Sequence, residues 1–227
     1  MTTGVRNASP PCMAAEVDPT CSDPSAVDPG QARDVARWRR AERIRLAGLR
    51  KELGQAGRAQ VSNRIGQHLG RVLAERDTGQ GVVLSGYWPI KGEPDLRALF
   101  AYLHRAGVII VMPVVETRAA PLVFRRWTPE TRMMRGDWNI PVPPPEATVL
   151  TPDILLAPCL GWDGAGFRLG WGGGYFDRTL AALAARHLTI GIALAAARLP
   201  TIYPQPHDIP FDLILTEDGV AVTRTDR

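Results

Sequence analysis

The stretch that decides the fold is "DILLAPCLGWDGAGFRLGWGGGYFDRTLAALAAR", Asp153 to Arg186. It opens on an apolar run from Ile154 that reads as a buried strand. It closes on "YFDRTLAALAAR", which reads as a helix. Between the two, Gly161 to Leu180 hold seven glycines, two arginines and two aspartates. A strand that feeds through a permissive turn into a helix sits where open α/β sheets bind ligands, beyond the strand's carboxyl end.

Working outward, the same alternation recurs. "GVVLSGYWPI" predicts a short buried strand from Val82 to Tyr87, and "DLRALFAYLHRAG" has Leu96, Leu99, Phe100 and Leu103 at helical spacing before Gly107. "VIIVMPVV" reads as a second buried strand and "PLVFRRW" as a half-exposed one. "TPETRMMRGDWNIPVPPPEATVL" is proline-rich and loop-like, while "LTIGIAL" and "FDLILTEDG" close the chain as strands. Upstream, "DVARWRRAERIRLAGLRKEL" predicts a helix with Val35, Trp38, Ile44, Leu46, Leu49 and Leu53 set among six arginines. "AQVSNRIGQHLGRVLAER" predicts a second, with Val61, Ile65, Leu69 and Leu73 at four-residue intervals. Helices alternating with apolar strands imply an α/β fold: a single three-layer, Rossmann-like domain whose mostly parallel sheet carries helices on both faces.

Composition bounds the rest. The chain has 227 residues, 45% of them hydrophobic and 22% charged, with a formal net charge of +4. That excess suits anionic small ligands and does not by itself imply nucleic acid. Cys12, Cys21 and Cys159 have no metal-ligand spacing and are an odd number, which points to reduced thiols and a cytoplasmic protein. No signal peptide and no membrane-length apolar run is visible. Residues 1–33 are rich in Pro, Asp, Ser and Thr and poor in large apolar groups, so they are expected to be a disordered extension before a domain at 34–227.

The glycine turn has the chemistry of an anion site. Gly170, Gly172, Gly173 and Gly174 let main-chain N–H groups approach a phosphate, and a helix beginning near Tyr175 adds its positive end. Arg168 can donate a bidentate pair, and Asp177 can hold a Mg²⁺ that shares the phosphates. The P-loop pattern fails, with Phe167 and Arg168 where Lys and Ser belong; the dinucleotide pattern fails at Tyr175. A tight turn with a surface Arg168–Asp177 pair accounts for the same residues without any ligand.

"RLGWGGGYFDRTL", after the strand-and-turn "LLAPCLGWDGAGF", resembles the phosphate-binding signature of the 5-formyltetrahydrofolate cyclo-ligase (methenyltetrahydrofolate synthetase) family. That signature runs Arg-Leu-Gly-x-Gly-x-Gly, two aromatic places and Asp. The resemblance extends over about residues 36–219, through "YWPIKGEPDLRALF", "DWNIPVPPP" and "HDIPFDLILTEDG". It implies ATP-dependent cyclisation of 5-formyltetrahydrofolate to 5,10-methenyltetrahydrofolate, with ADP and phosphate released after the formyl oxygen is phosphorylated. It implies Arg168 and Asp177 as catalytic groups. It further implies an ATP site made of Arg39, Arg43, Arg168, Leu169, Gly170, Trp171, Gly172, Gly173, Gly174, Tyr175 and Phe176. Folate contacts follow at Tyr87, Glu93, Trp138 and Tyr175, and Mg²⁺ ligands at Asp177 and Asp208. Reduced folate and ATP are the implied partners of a monomer, with no nucleic acid and no membrane.

Each carried-over role has a plainer reading beside it. Glu93 serves equally as a first-turn helix acid, Trp138 as an anchor for a proline-rich loop, and Asp208 as a turn cap. The first-helix cations fit one register as Arg39 and Arg43, with Glu42 at a usually apolar place, and another as Ala41 and Arg45. "GIALAAARLP" lacks the polar residues often found after the family's Gly-x-Ala, which leaves open a paralogue acting on another formylated or folate-like compound.

Overall fold

The computed structural model describes residues 29–76, 78–183 and 187–224. The expectation for residues 1–28 therefore lies outside the described residues. Residues 29–33, assigned above to the same extension, form the first turns of a helix.

In chain order, α1 (Pro29–Glu52) and α2 (Gly54–Ala74) precede β1 (Val83–Ser85), α3 (Arg97–Arg105), β2 (Ile109–Val114) and β3 (Val123–Trp127). A small hairpin follows, β4 (Met134–Arg135) and β5 (Pro141–Val142), then β6 (Ile154–Pro158), β7 (Gly161–Asp163) and β8 (Arg168–Leu169). The chain ends through α4 (Tyr175–Ala182), β9 (Leu188–Ile192), β10 (Arg198–Leu199), β11 (Leu213–Thr216) and β12 (Gly219–Thr223).

Seven strands form the central sheet in the order β12-β11-β9-β6-β1-β2-β3. The inner pairs β11–β9, β9–β6, β6–β1 and β1–β2 are parallel. Only the edges reverse, with β2–β3 and β11–β12 antiparallel. The central strands are apolar on both sides because both sides are covered. Along β6, Ile154 and Leu156 face a cluster containing Ile65, Leu69 and Leu73 of α2 and Phe100 and Leu103 of α3. Leu155 and Ala157 face the other cluster, where Trp38 and Leu46 of α1 meet Phe211 and Ile214, with Phe176 and Leu180 of α4 packed alongside. This alternation of burial is the pleat itself, and it produces the three layers.

Several details depart from the sequence reading. The proline-rich segment contains the β4–β5 hairpin, turned by a short 3₁₀ segment at Asp137–Asn139. A separate three-stranded sheet, β10-β7-β8, was not foreseen and carries Arg168 and Leu169. Ile44, counted among the apolar positions of the first helix, is 70% exposed, since it lies on the face of α1 opposite the buried Val35, Trp38, Leu46 and Arg50. No described helix is long and apolar enough to cross a membrane.

Candidate active site

The strand order creates the site. From β1 the chain moves to β2 on one side, and it later returns to β1's other side as β6. The loops leaving the carboxyl ends of β1 and β6 therefore diverge, and a crevice opens between them. A cavity of about 840 Å³ lies there. Tyr87, Trp88, Ile90, Lys91 and Glu93 line one side and residues 168–177 the other, and Arg39, Arg43, Trp138 and Asp208 are among the remaining lining residues. That volume is in the range of small-molecule sites.

Two of the four loop glycines, Gly172 and Gly174, use the left-handed freedom expected of all four; Gly170 and Gly173 do not. Gly172 has φ of +98° and Gly174 φ of +65°, left-handed values that a side chain strains. Gly174 is the N-cap of α4 and supplies no side-chain cap, which leaves the first-turn N–H groups for another acceptor. Arg43 Nε donates to the Gly170 carbonyl at 2.8 Å and fixes the loop from α1. Burial first, and the repulsion of Arg39 second, hold the Arg43 guanidinium below its ordinary pKa. Asp208 offsets part of this, and a further anion beside Arg43 is favoured by the same electrostatics.

Arg168 leaves β8 almost buried, at 8% exposure. Its Nη2 is 2.9 Å from Asp177 Oδ2, yet the angle is not that of a hydrogen bond, so Nε and Nη2 are buried without a hydrogen-bond partner. The rings of Phe176 and Phe211 flank its guanidinium, each at 5.4 Å. A buried cation with unsatisfied donors beside an uncapped helix N-terminus is built for an anion. Arg39, by contrast, is saturated by the Ile202 and Tyr203 carbonyls and by both oxygens of Asp208.

On the facing wall, Glu93 is 6% exposed. Its Oε2 accepts from the Ile90 amide at 3.0 Å and its Oε1 from Trp171 Nε1 at 3.0 Å. Behind it, Arg50 Nη1 stands 3.9 Å from Oε1. Burial raises the Glu93 pKa, opposed by the Ile90 and Trp171 hydrogen bonds and by the charges of Arg50 and Lys91. This environment is not that of a surface first-turn acid. Tyr87 donates its hydroxyl to the Pro94 carbonyl at 2.7 Å, so it presents only its ring to the cavity. Burial and the neighbouring Glu93 push that phenol well above its ordinary pKa. Trp138 stands at the mouth with φ of +52°, 67% exposed, its ring edge-on to Tyr175 at 5.6 Å.

The structure thus brings Arg39, Arg43, Tyr87, Glu93, Trp138, Arg168, Asp177 and Asp208 to one cavity together with the glycine loop. The Arg39 and Arg43 register is the one that faces it. Arg45 of the alternative register pairs with Glu42 at 2.7 Å and is 43% exposed. Trp171, grouped with the phosphate loop by sequence, spends its indole N–H on Glu93 instead. Asp177 and Asp208 are each held by an arginine, and no group of three or more His, Cys, Asp or Glu converges among the described residues. His207 is 75% exposed and 3.9 Å from Asp208. The departing segment "GIALAAARLP" does not line the cavity; Ala193, Leu194 and Ala197 are core residues.

Sequence reasoning missed Arg50. It is 1% exposed, its Nη2 donates to the Cys159 carbonyl at 2.8 Å, and its Nε and Nη1 have no hydrogen-bond partner. The signal was present: positions 39, 43, 46 and 50 repeat at four, three and four residues, a single helical stripe.

A family model described as the 5-formyltetrahydrofolate cyclo-ligase family matches residues 35–217. A 5-formyltetrahydrofolate cyclo-ligase of Mycolicibacterium smegmatis is 32% identical over 169 residues, covering 68% of this chain and 87% of that protein. One from Haemophilus influenzae is 26% identical over 180 residues, covering 76% and 95% respectively. Among solved structures, the 5,10-methenyltetrahydrofolate synthetase of Aquifex aeolicus superposes with a TM-score of 0.69 at 28% identity, covering 83% of this chain and 94% of that one. The Mycoplasma pneumoniae synthetase shares the fold, with a TM-score of 0.65 at 23% identity and coverage of 79% and 98%. With most of its length matched and its crevice lined by the family's signature, this chain belongs to the 5-formyltetrahydrofolate cyclo-ligase family.

Proposed function

We propose that this chain converts 5-formyltetrahydrofolate and ATP into 5,10-methenyltetrahydrofolate, ADP and phosphate. The observation that carries the ATP half is Arg168, a buried guanidinium with unsatisfied donors between a glycine loop and the uncapped start of α4. The folate half rests on Glu93, a buried carboxylate on the opposite wall of the same cavity, with Tyr87 and Trp138 offering ring surface nearby.

In this reading the formyl oxygen attacks the γ-phosphorus. An oxygen–phosphorus bond forms as the bond to ADP breaks. N10 then attacks the formyl carbon, the carbon–oxygen bond breaks, and inorganic phosphate leaves with both electrons of that bond. The N10 proton passes to solvent. No protein nucleophile is needed, and Cys159, the one thiol among the described residues, is buried in the core. What the chain supplies is position and charge: loop amides, Arg43 and Arg168 on the phosphates, and Glu93 orienting the formylated ring.

Asp177 and Asp208 are the carboxylates available to Mg²⁺. Both are already arginine-paired, which fits a cation that arrives on the polyphosphate better than a preformed metal site. Such a cation neutralises the phosphate oxygens. The free Cys159 thiol fits a cytoplasmic setting.

The test is direct. Purified protein given 5-formyltetrahydrofolate, Mg²⁺ and ATP develops the near-ultraviolet absorbance of the methenyl product, and omission of ATP abolishes it. Arg168→Ala weakens ATP binding by about 10- to 100-fold, the worth of a lost charge-assisted pair. No ATP-dependent absorbance change in the wild type refutes the assignment.

A further inference from the structure

Trp171 connects two parts of the cavity that the reaction uses separately. It lies inside the glycine loop, between Gly170 and Gly172, yet its indole N–H reaches across to Glu93 Oε1 at 3.0 Å. The Lys91 ammonium covers the same indole at 4.3 Å from the ring. Thus two residues of the loop after β1 clasp one side chain of the phosphate loop. The partners of Glu93 leave few alternatives. Oε2 is held by its own loop through Ile90, and Arg50 is at 3.9 Å, beyond hydrogen-bond reach. Within the described structure the indole is the one side chain that hydrogen-bonds this carboxylate.

We propose that Trp171 is a positioning residue that couples the two ligand sites, so that a polyphosphate held by the glycine loop fixes the indole on Glu93 and thereby prepares the carboxylate for the formylated substrate. The inference rests on the two-ligand reading of the cavity given above and deepens it. Its physical basis is short. Arg43 on the Gly170 carbonyl and Arg178 on the Gly173 carbonyl hold the loop main chain on either side of Trp171. An anion drawing the N–H groups of residues 172–175 inward holds the loop's amides as well as its carbonyls and removes the remaining freedom of Trp171. The Glu93 carboxylate then keeps one orientation before the folate arrives. Linkage makes the effect reciprocal: bound folate, by holding Glu93, tightens nucleotide binding by the same factor.

Calorimetry tests this with 5-formyltetrahydrofolate titrated into protein alone and into protein saturated with Mg²⁺ and a non-hydrolysable ATP analogue. In the wild type the analogue tightens folate binding by about tenfold. Trp171→Phe keeps a ring under Lys91 and loses the donor; the enhancement, read as the ratio of folate affinities with and without the analogue at saturation, falls below about twofold. Trp171→His restores a ring N–H and recovers part of the enhancement. A second readout separates positioning from general damage. The titratable and charged groups facing Glu93 are Arg50 from α1, Lys91 and Tyr87 from its own loop, and Cys159 beyond β6. None of these is altered in Trp171→Phe, so the acid limb of kcat/KM for folate moves to higher pH through loss of the indole donor alone. If Trp171→Phe retains the tenfold enhancement, or wild type binds both ligands independently, the coupling is refuted and the two-ligand reading survives. If the wild type binds no adenine nucleotide, both fall together.

Discussion

Replacing Arg50 by Met removes a buried charge whose counter-charge is Glu93, and its cost can be worked from the site. The two groups are 3.9 Å apart, with side chains 1% and 3% exposed. At an effective dielectric of about 20, that separation is worth about 4 kcal/mol of attraction. Deleting one partner leaves Glu93 buried with its two N–H donors and only the exposed Lys91 as a cation, a change that typically costs about 3–5 kcal/mol. Part is returned, because Met also abolishes the unsatisfied Nε and Nη1 donors of Arg50. We therefore expect Arg50→Met to destabilise by about 3 kcal/mol, lowering a urea midpoint by about 1.5 M for an m-value near 2 kcal/mol/M. The double variant Arg50→Met/Glu93→Gln behaves differently. Burial lowers the Arg50 pKa and raises that of Glu93, so both charges are held against their preference, and removing both relieves it. Its midpoint returns to within about 0.5 M of wild type or exceeds it, while folate turnover is lost. Urea unfolding followed by far-ultraviolet circular dichroism measures Arg50→Met, Glu93→Gln and the double variant. A single-variant cost below about 1 kcal/mol, or a double variant equal to the sum of its singles, refutes this account of the pair.

Other outcomes follow from individual residues. Gly172→Ala forces a Cβ onto a φ of +98° and to 3.3 Å from the Arg43 guanidinium carbon, so nucleotide affinity drops by about tenfold or more while folate binding without nucleotide is retained; calorimetry with each ligand separately checks this. Glu93 is held by burial at a pKa above the ordinary value of a glutamate carboxyl. Its contribution to stability is therefore greatest below that value and is lost as pH rises through the elevated folded pKa, so the stability of wild type relative to Glu93→Gln declines from pH 4 toward neutrality; unfolding curves for both proteins across that window give the sign. The Cys159 thiol is pushed up to about 12 by burial, so it resists iodoacetamide in the native protein and is alkylated only on unfolding, as peptide mass mapping reports.

Much of the architecture was legible because apolar runs of strand length are hard to mistake when helices separate them. The central sheet strands β1, β2, β6, β9 and β11 each fall inside a predicted run. The glycine loop was legible for a different reason: its residues are chosen by backbone conformation, which Gly172 and Gly174 show directly. What escaped depends on partners distant in sequence. β7, β8 and β10 are three residues or fewer and exist only through pairing with one another, which local pattern does not encode. Arg50 escaped because six arginines in one helix look like a solvated face, and burial of a cation requires a carboxylate from 43 positions away. Three of those six, Arg39, Arg43 and Arg50, turn inward, so the basic character of α1 serves the cavity as much as the surface. Trp171 escaped for a similar reason, since its neighbours assign it to phosphate and only the fold brings Glu93 within reach.

The central claim is that the main chain between Arg168 and Asp177 grips a nucleoside polyphosphate. A crystal structure of the protein with Mg²⁺ and a non-hydrolysable ATP analogue tests it most directly. The account predicts phosphate oxygens within hydrogen-bond distance of the amides of residues 172–175 and of the Arg43 and Arg168 guanidiniums. A nucleotide bound elsewhere on the molecule, with the glycine loop untouched, contradicts it.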